Sequence, residues 1–181
     1  EKISAFDAED FVFQLGGPEA DALVGGIQLR RATLGQIPAL EGQGIAMAMI
    51  HLGPCAIFPP HFHPRATEMV YTIEGSYVRV AFVEENGGDG AVVNDLSQGD
   101  VSFVPQGLVH YQQNLGCEPA TFLVALNSED PGAVILVSLF FDLPSEALLN
   151  VDEAALSALQ QQLSEAPALA RLECLERCGL E

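Results

Sequence analysis

Between Ala56 and Leu139 the chain breaks into short apolar runs: Val70–Ile73, Tyr77–Val83, Val92–Leu96, Val101–Val104, Thr121–Leu126 and Ala133–Leu139. Asn86-Gly87-Gly88, Gly99-Asp100 and Asp130-Pro131-Gly132 punctuate them with turn-forming residues. Many short strands at this spacing select an all-β sandwich or barrel over alternating βαβ units. The stretch from Gly26 to Leu52 repeats the pattern, and Phe11-Val12-Phe13 before Gly16-Gly17-Pro18 predicts one more short strand and a turn. After Pro144 the period changes. Leu156, Leu159 and Leu163 follow helical spacing behind Asp152, a candidate N-cap, and a second helical stretch from Leu169 to Arg177 ends before Gly179. A chain of 181 residues has room for one domain with a substantial core, expected over residues 1–145, and a helical extension over 146–181. That extension must bury its apolar stripe against the barrel or a neighbouring subunit.

The chain holds four histidines, and three of them lie in two short stretches, His61-Phe62-His63-Pro64-Arg65-Ala66-Thr67-Glu68 and Pro105-Gln106-Gly107-Leu108-Val109-His110. Side chains two apart on a strand share a face, so His61 and His63 project together. Glu68 stands five residues beyond His63, an odd interval that aims it away unless the strand bends. Pro64 supplies a bend, because its fixed φ and missing N–H interrupt a ladder. With His110 arriving from a distant strand, His61, His63, Glu68 and His110 form a candidate metal site. Taken singly, each histidine reads as an ordinary core or surface residue; the combination favours the ligand set. His51, alone at the end of Met47-Ala48-Met49-Ile50, is read as structural.

Twenty-five acidic against seven basic residues give a formal charge of −18, which disfavours nucleic acid and anionic membrane surfaces as partners and suits an extracellular or vacuolar setting. No apolar run approaches the roughly 20 residues that span a bilayer. The chain begins at Glu1 rather than methionine, as expected of a mature or trimmed product. Four cysteines allow three pairings. If the strands carrying His61 and His110 run antiparallel with the two ligands opposite, the paired sequence numbers add to 171, and those of Cys55 and Cys117 add to 172. The same register therefore predicts a Cys55–Cys117 disulfide, with Cys174 and Cys178, four apart on one helical face, able to pair with each other. The competing reading is four reduced thiols.

His61-x-His63-x4-Glu68-x6-Gly75, followed by Gly99-x5-Pro105-x-Gly107-x2-His110-x3-Asn114, resembles the two cupin motifs as they occur in germins, germin-like proteins and the spherulin-like proteins of microbial eukaryotes. The resemblance covers roughly residues 25–145. It implies a double-stranded β-helix, or jelly-roll, barrel holding one metal, commonly manganese, on the residues matching His61, His63, Glu68 and His110. It further implies trimers or hexamers assembled through helical tails, and an activity drawn from oxalate oxidation, superoxide dismutation or none. Gly75 and Gly107 then fall where turns demand backbone freedom, and Pro105 stiffens the approach to His110. Three departures bear on activity. Cys55 replaces the glycine six residues before the first histidine, and Phe58 and Ala48 replace two asparagines that line the cavity in oxalate oxidases. Losing those amides removes donors that would orient a dicarboxylate. The N-terminal cysteine pair of germins is also missing.

Three imidazoles and one carboxylate suit Mn, Fe, Co, Ni, Cu or Zn, and ligand type alone does not rank them. In an octahedral site, four protein ligands would leave two positions for water, dioxygen, superoxide or substrate. If the ion is manganese, cycling between its two- and three-valent states would disproportionate superoxide. One rival is an iron or nickel dioxygenase using a cavity lined by Phe58 and Phe103. The other is a secreted or storage-type binding protein whose metal is structural. Gln112 and Asn114 are candidates to orient ligands or water, Asn114 equally to shape a turn. Arg65, in the bend, is expected to pair with an acid across a subunit contact.

Overall fold

The computed structural model describes residues 5–16, 21–23, 26–136, 154, 157–158 and 169–180. Eleven strands follow in chain order: β1 (Asp21–Leu23), β2 (Ile27–Ala32), β3 (Ala46–Leu52), β4 (Ile57–Phe62), β5 (Glu68–Glu74), β6 (Val78–Val83), β7 (Ala91–Leu96), β8 (Val101–Val104), β9 (His110–Asn114), β10 (Ala120–Leu126) and β11 (Val134–Ile135). All pairings are antiparallel. They build one sheet of order β1-β2-β3-β10-β5-β8 and a second of order β11-β4-β9-β6-β7. This is the all-β architecture the strand spacing predicts and, in its topology, the jelly roll the resemblance implies. Among the described C-terminal residues Ala154, Ser157 and Ala158 are helical, and one helix has both ends defined, α1 (Leu169–Cys178). The candidate helix around Asp152, Leu156, Leu159 and Leu163, and the end of the Ala133–Leu139 run, lie outside the described residues.

Period-two alternation puts the core between the sheets. Ala46, Ala48, Ile50 and Leu52 of β3 are buried, as are Ala120, Phe122, Val124 and Leu126 of β10, while the residues between them are only partly so. Val70, Val78, Val80 and Val104 complete the centre of one apolar cluster. Where sequence runs and strands differ, the cause is local. Phe11-Val12-Phe13 is not a strand: Ala8–Phe11 forms a 3-10 turn, closed by Asp10 Oδ2 accepting from the Asp7 N–H at 2.8 Å. Gly75 has φ +114°, and a Cβ there would lie 2.7 Å from that of Ala120, so this turn admits no side chain. Gly107 also turns with positive φ.

The cysteines correct the expected pairing. Cys55 is bonded to Cys174, and Cys117 to Cys178. The register argument did place Cys55 and Cys117 in adjacent loops, since the Cys55 N–H donates to Gly116 O at 3.3 Å. Both thiols instead face α1, whose two cysteines are one turn apart and reach one loop each. Cys55 has φ +59°, the only positive value among described non-glycine residues. A left-handed backbone at a residue with a Cβ costs about 1 kcal/mol, and here the bond to Cys174 holds it. Just past Cys178 α1 closes on Gly179, φ +64°, with Gly179 N–H on Glu176 O at 3.2 Å and Leu180 N–H on Leu175 O at 3.0 Å. This pair of bonds satisfies carbonyls that a helix end leaves open.

Candidate metal centre

Pro59 and Pro60 sit inside β4, where neither can donate to a ladder. The β4–β9 register accordingly slips between Phe58 and His61: Phe58 faces Gln112 and His61 faces His110. Pro59 and Pro60 on β4 oppose only Tyr111 on β9, a bulge. Its effect is to turn two side chains three residues apart, Phe58 and His61, to the same interior. Beyond β4 the chain turns at Pro64-Arg65 and crosses to the other sheet at Glu68, whose position at the start of β5 aims its carboxylate inward. His61, His63, Glu68 and His110 thus offer one donor atom each, all within 4.8 Å of one another.

Each imidazole is held by its far nitrogen. His61 Nδ1 lies 2.8 Å from Pro59 O, His110 Nδ1 2.9 Å from Leu108 O, and His63 Nδ1 2.5 Å from Gly132 O. A carbonyl only accepts, so each Nδ1 carries the hydrogen and each Nε2 keeps its lone pair for the interior. The rings crowd together, His61 and His110 at 4.1 Å between centroids. Glu68 Oε2 lies 2.9 Å from His63 Nε2 and 3.4 Å from His110 Nε2. Its Oε1 accepts from Gln112 Nε2 at 2.8 Å. His110 Nε2, fully buried, has no hydrogen-bond partner. A buried acceptor with its lone pair aimed among two imidazoles and a carboxylate fits a cation, and these residues could hold a metal ion.

The electrostatics agree with that donor set. Burial, reinforced by the neighbouring His110, pushes the His61 imidazole down to about 4. Burial alone would raise Glu68, but the His110 and His63 imidazoles beside it outweigh that effect and hold the carboxyl at about 2. Burial also opposes charge on His63, where the hydrogen bond to Glu68 prevails and the group moves up. In the metal-free protein His61 is therefore a liability in acid. Its unfolded form binds a proton near 6.5, its folded form near 4, so the stability it contributes is whole above about 6.5 and drains away as pH falls towards 4. Glu68 loses its contribution only between about 4.5 and 2, while His63, raised, gains on acidification. We expect the urea midpoint of metal-free protein to fall between pH 7 and pH 5 by the equivalent of at most about 2 kcal/mol. A His61→Phe variant should flatten that decline; an unchanged slope would refute the assignment.

Among the residues singled out from sequence, the structure brings all four candidate ligands together. His51 stays apart, its Nδ1 2.9 Å from Thr121 Oγ1. Asn114 has a turn role: its amide donates to Gly53 O at 3.0 Å and Glu118 O at 2.7 Å, and Oδ1 accepts from Gly116 N–H at 2.8 Å. Arg65 pairs with an acid of its own chain, Asp130, at 2.8 Å. Phe103 does not line the cavity. Alternation along β8 buries Val104 and leaves Phe103 59% exposed on the outer face, opposite Met69. Phe58 does approach, its ring 4.9 Å from that of His61, edge to face.

Sequence reading missed Gly132, taken there only as turn punctuation. Its carbonyl is the acceptor for His63, its φ is +66°, and a Cβ would meet Pro64 Cγ and Arg65 Nη2 at 3.0 Å. Gly132→Ala should displace that carbonyl and weaken metal affinity about 10- to 100-fold, the usual cost of a lost supporting partner. Competition with a chelator checks this, and unaltered affinity would sink it.

A jelly roll whose paired sheets enclose three imidazoles and a carboxylate defines a class, the single-centre cupin barrels. The chain belongs to the cupin family, whose model matches residues 13–154, and within it to the spherulin- and germin-like members. It is 37% identical over 147 residues to Spherulin-1B of Physarum polycephalum, covering 79% of this chain and 58% of the spherulin. With Germin-like protein 5-1 of Oryza sativa subsp. japonica it shares 36% over 168 residues, 87% of this chain and 72% of that one. A solved recombinant oxalate oxidase in complex with glycolate superposes with a TM-score of 0.79 at 25% identity, covering 91% of this chain and 86% of that one. The chain thus spans little more than half the length of the spherulin.

Proposed function

We propose that His61, His63, Glu68 and His110 bind one manganese ion and that the protein is an oxidoreductase acting on superoxide or a comparably small oxygen-containing molecule. The observation that carries this reading is the unpartnered, buried His110 Nε2 facing the Glu68 carboxylate. A manganese ion there supplies a two-valent to three-valent couple for one-electron exchange. The chain's own work is positional. Three backbone carbonyls fix the imidazole tautomers, Gln112 holds Glu68 by Oε1, and the anionic carboxylate favours the more highly charged ion. Phe58 screens His61 from water, and His63, at 12% side-chain exposure, marks the open side.

Phe58 and Ala48, both buried, present no amide to a dicarboxylate, so oxalate is disfavoured even though an oxalate oxidase shares the fold. Fe, Ni, Zn and Cu are the alternative ions for the same donors. We further propose a homo-oligomer, trimer or hexamer, and a secreted location, a setting in which disulfides persist.

Elemental analysis of protein from its native host, with superoxide and oxalate consumption assayed on the manganese-loaded form, tests the reading. We expect dismutation and no oxalate turnover. A net charge of −18 repels superoxide, so the rate constant should rise as added salt screens that field. Manganese-replete protein inert towards superoxide would leave the non-catalytic, ligand-holding reading in its place.

A further inference from the structure

All four cysteines converge at the end of the barrel remote from the imidazole centre. Cys55 lies in the turn before β4 and His61 near that strand's far end, so the Cα atoms of the two residues are separated by at most about 20 Å. The disulfides do not lie side by side at random. Cys55 Sγ is 3.8 Å from Cys178 Sγ, and the sulfurs of Cys55, Cys174 and Cys178 all fall within 4.8 Å of one another. Cys117 is bonded to Cys178 and joins the same cluster. A tetrahedral tetrathiolate zinc site, with Zn–S near 2.3 Å, has sulfur–sulfur edges of roughly 3.8 Å. One edge between the two disulfides already has that length.

We propose that, once reduced, Cys55, Cys117, Cys174 and Cys178 form a second metal site, a structural tetrathiolate site for zinc that alternates with the two disulfides. Two equivalents of a dithiol reductant deliver four electrons and four protons; both S–S bonds break, four thiols form, and two reductant disulfides leave. Zinc then displaces the four thiol protons. Opening each bonded pair to a tetrahedral edge moves each sulfur by about 1 Å, within reach of side-chain rotation. Burial of Cys55 and Cys174 opposes free thiolates, so the metal and a nearby cation must stabilise them. Arg177 Nη2 stands 3.4 Å from Cys174 Sγ with its positive charge, and the two loops are already joined by the Cys55 N–H. Arg177 is also anchored to Leu115 O, so its charge is held in place. Spacing agrees as well: Cys174 and Cys178 offer two donors one helical turn apart. The site joins α1 to the barrel in either redox state, and it is independent of what the imidazole centre does.

Cobalt(II) is the probe. The intact chain, carrying His61→Ala and His110→Ala to silence the other centre, is reduced with a phosphine under argon and titrated. We expect thiolate-to-cobalt charge transfer in the near ultraviolet and intense tetrahedral bands in the visible, saturating at one equivalent and bleached by zinc. The oxidised chain should give neither, and Cys174→Ser should lower the charge-transfer intensity by about a quarter or more, as one of four thiolates is lost. Absence of thiolate bands in the reduced protein would overturn the proposal. Circular dichroism on reduced protein with all four histidines intact supplies the second measurement: zinc should restore any helix and strand signal lost on reduction, and a signal unmoved by one equivalent of zinc beyond that taken by the oxidised protein would count equally against it.

Discussion

His63→Ala is expected to empty the proposed metal centre while leaving the barrel standing. Of the three imidazoles His63 is the most exposed, 12% for its side chain against 1% for His110, and it lies just past the end of β4. Truncation there opens towards solvent instead of leaving a sealed void. Glu68 keeps Gln112 and His110 as neighbours, so the metal-free fold should lose only about 1–2 kcal/mol. Removing a donor outright should cost more affinity than the ~100-fold that accompanies loss of a supporting hydrogen bond. Elemental analysis after dialysis, beside circular dichroism of the same sample, reads both effects. Retention of a full equivalent of metal with a native spectrum would mean that the ion, if bound, sits elsewhere.

The second large effect concerns the clamp. The Cys55–Cys174 and Cys117–Cys178 bonds span sequence separations of 119 and 61 residues, and loops of such length restrict the unfolded chain strongly. Loss of one such bond typically costs roughly 2–5 kcal/mol. The two loops overlap, sharing residues 117–174, so the second closure adds less than the first. We expect Cys117→Ala with Cys178→Ala to lower stability by about 2–4 kcal/mol, and reduction of both bonds with metal rigorously excluded to lower it further. Guanidinium unfolding with and without reductant checks this. Equal midpoints for oxidised and reduced protein would show that α1 contributes nothing through its sulfurs. Cys55→Gly offers a contrast, since it removes a bond but also relieves the left-handed backbone at φ +59°.

Much of this architecture was legible before any coordinates, and the reasons are specific. Alternation in β3 and β10 is nearly free of exceptions, so period two reports the buried face directly. The ligand set was legible because histidine is rare in the chain and because Pro64 explains how Glu68 can turn back. The opposition of His61 to His110 entered as a premise, with an index sum of 171, and the bulge at Pro59-Pro60 realises it locally although the neighbouring pairs follow 170. What stayed hidden depends on contacts distant in sequence. The partner of a cysteine is set by where α1 lands, and no period in the strands encodes that. Phe103 looked like a cavity residue by its chemistry, but parity along β8 turned it out. Gly132 gave no sign of its role, because a backbone carbonyl serving an imidazole 69 residues away leaves no side-chain signature.

The clamp also changes what a cut in the chain would do. With Cys55 tied to Cys174 and Cys117 tied to Cys178, every peptide bond between β11 and α1 belongs to a covalent ring. A protease that nicks that stretch yields two fragments which migrate as one species until a reductant separates them, so the protein can be clipped without being dismembered.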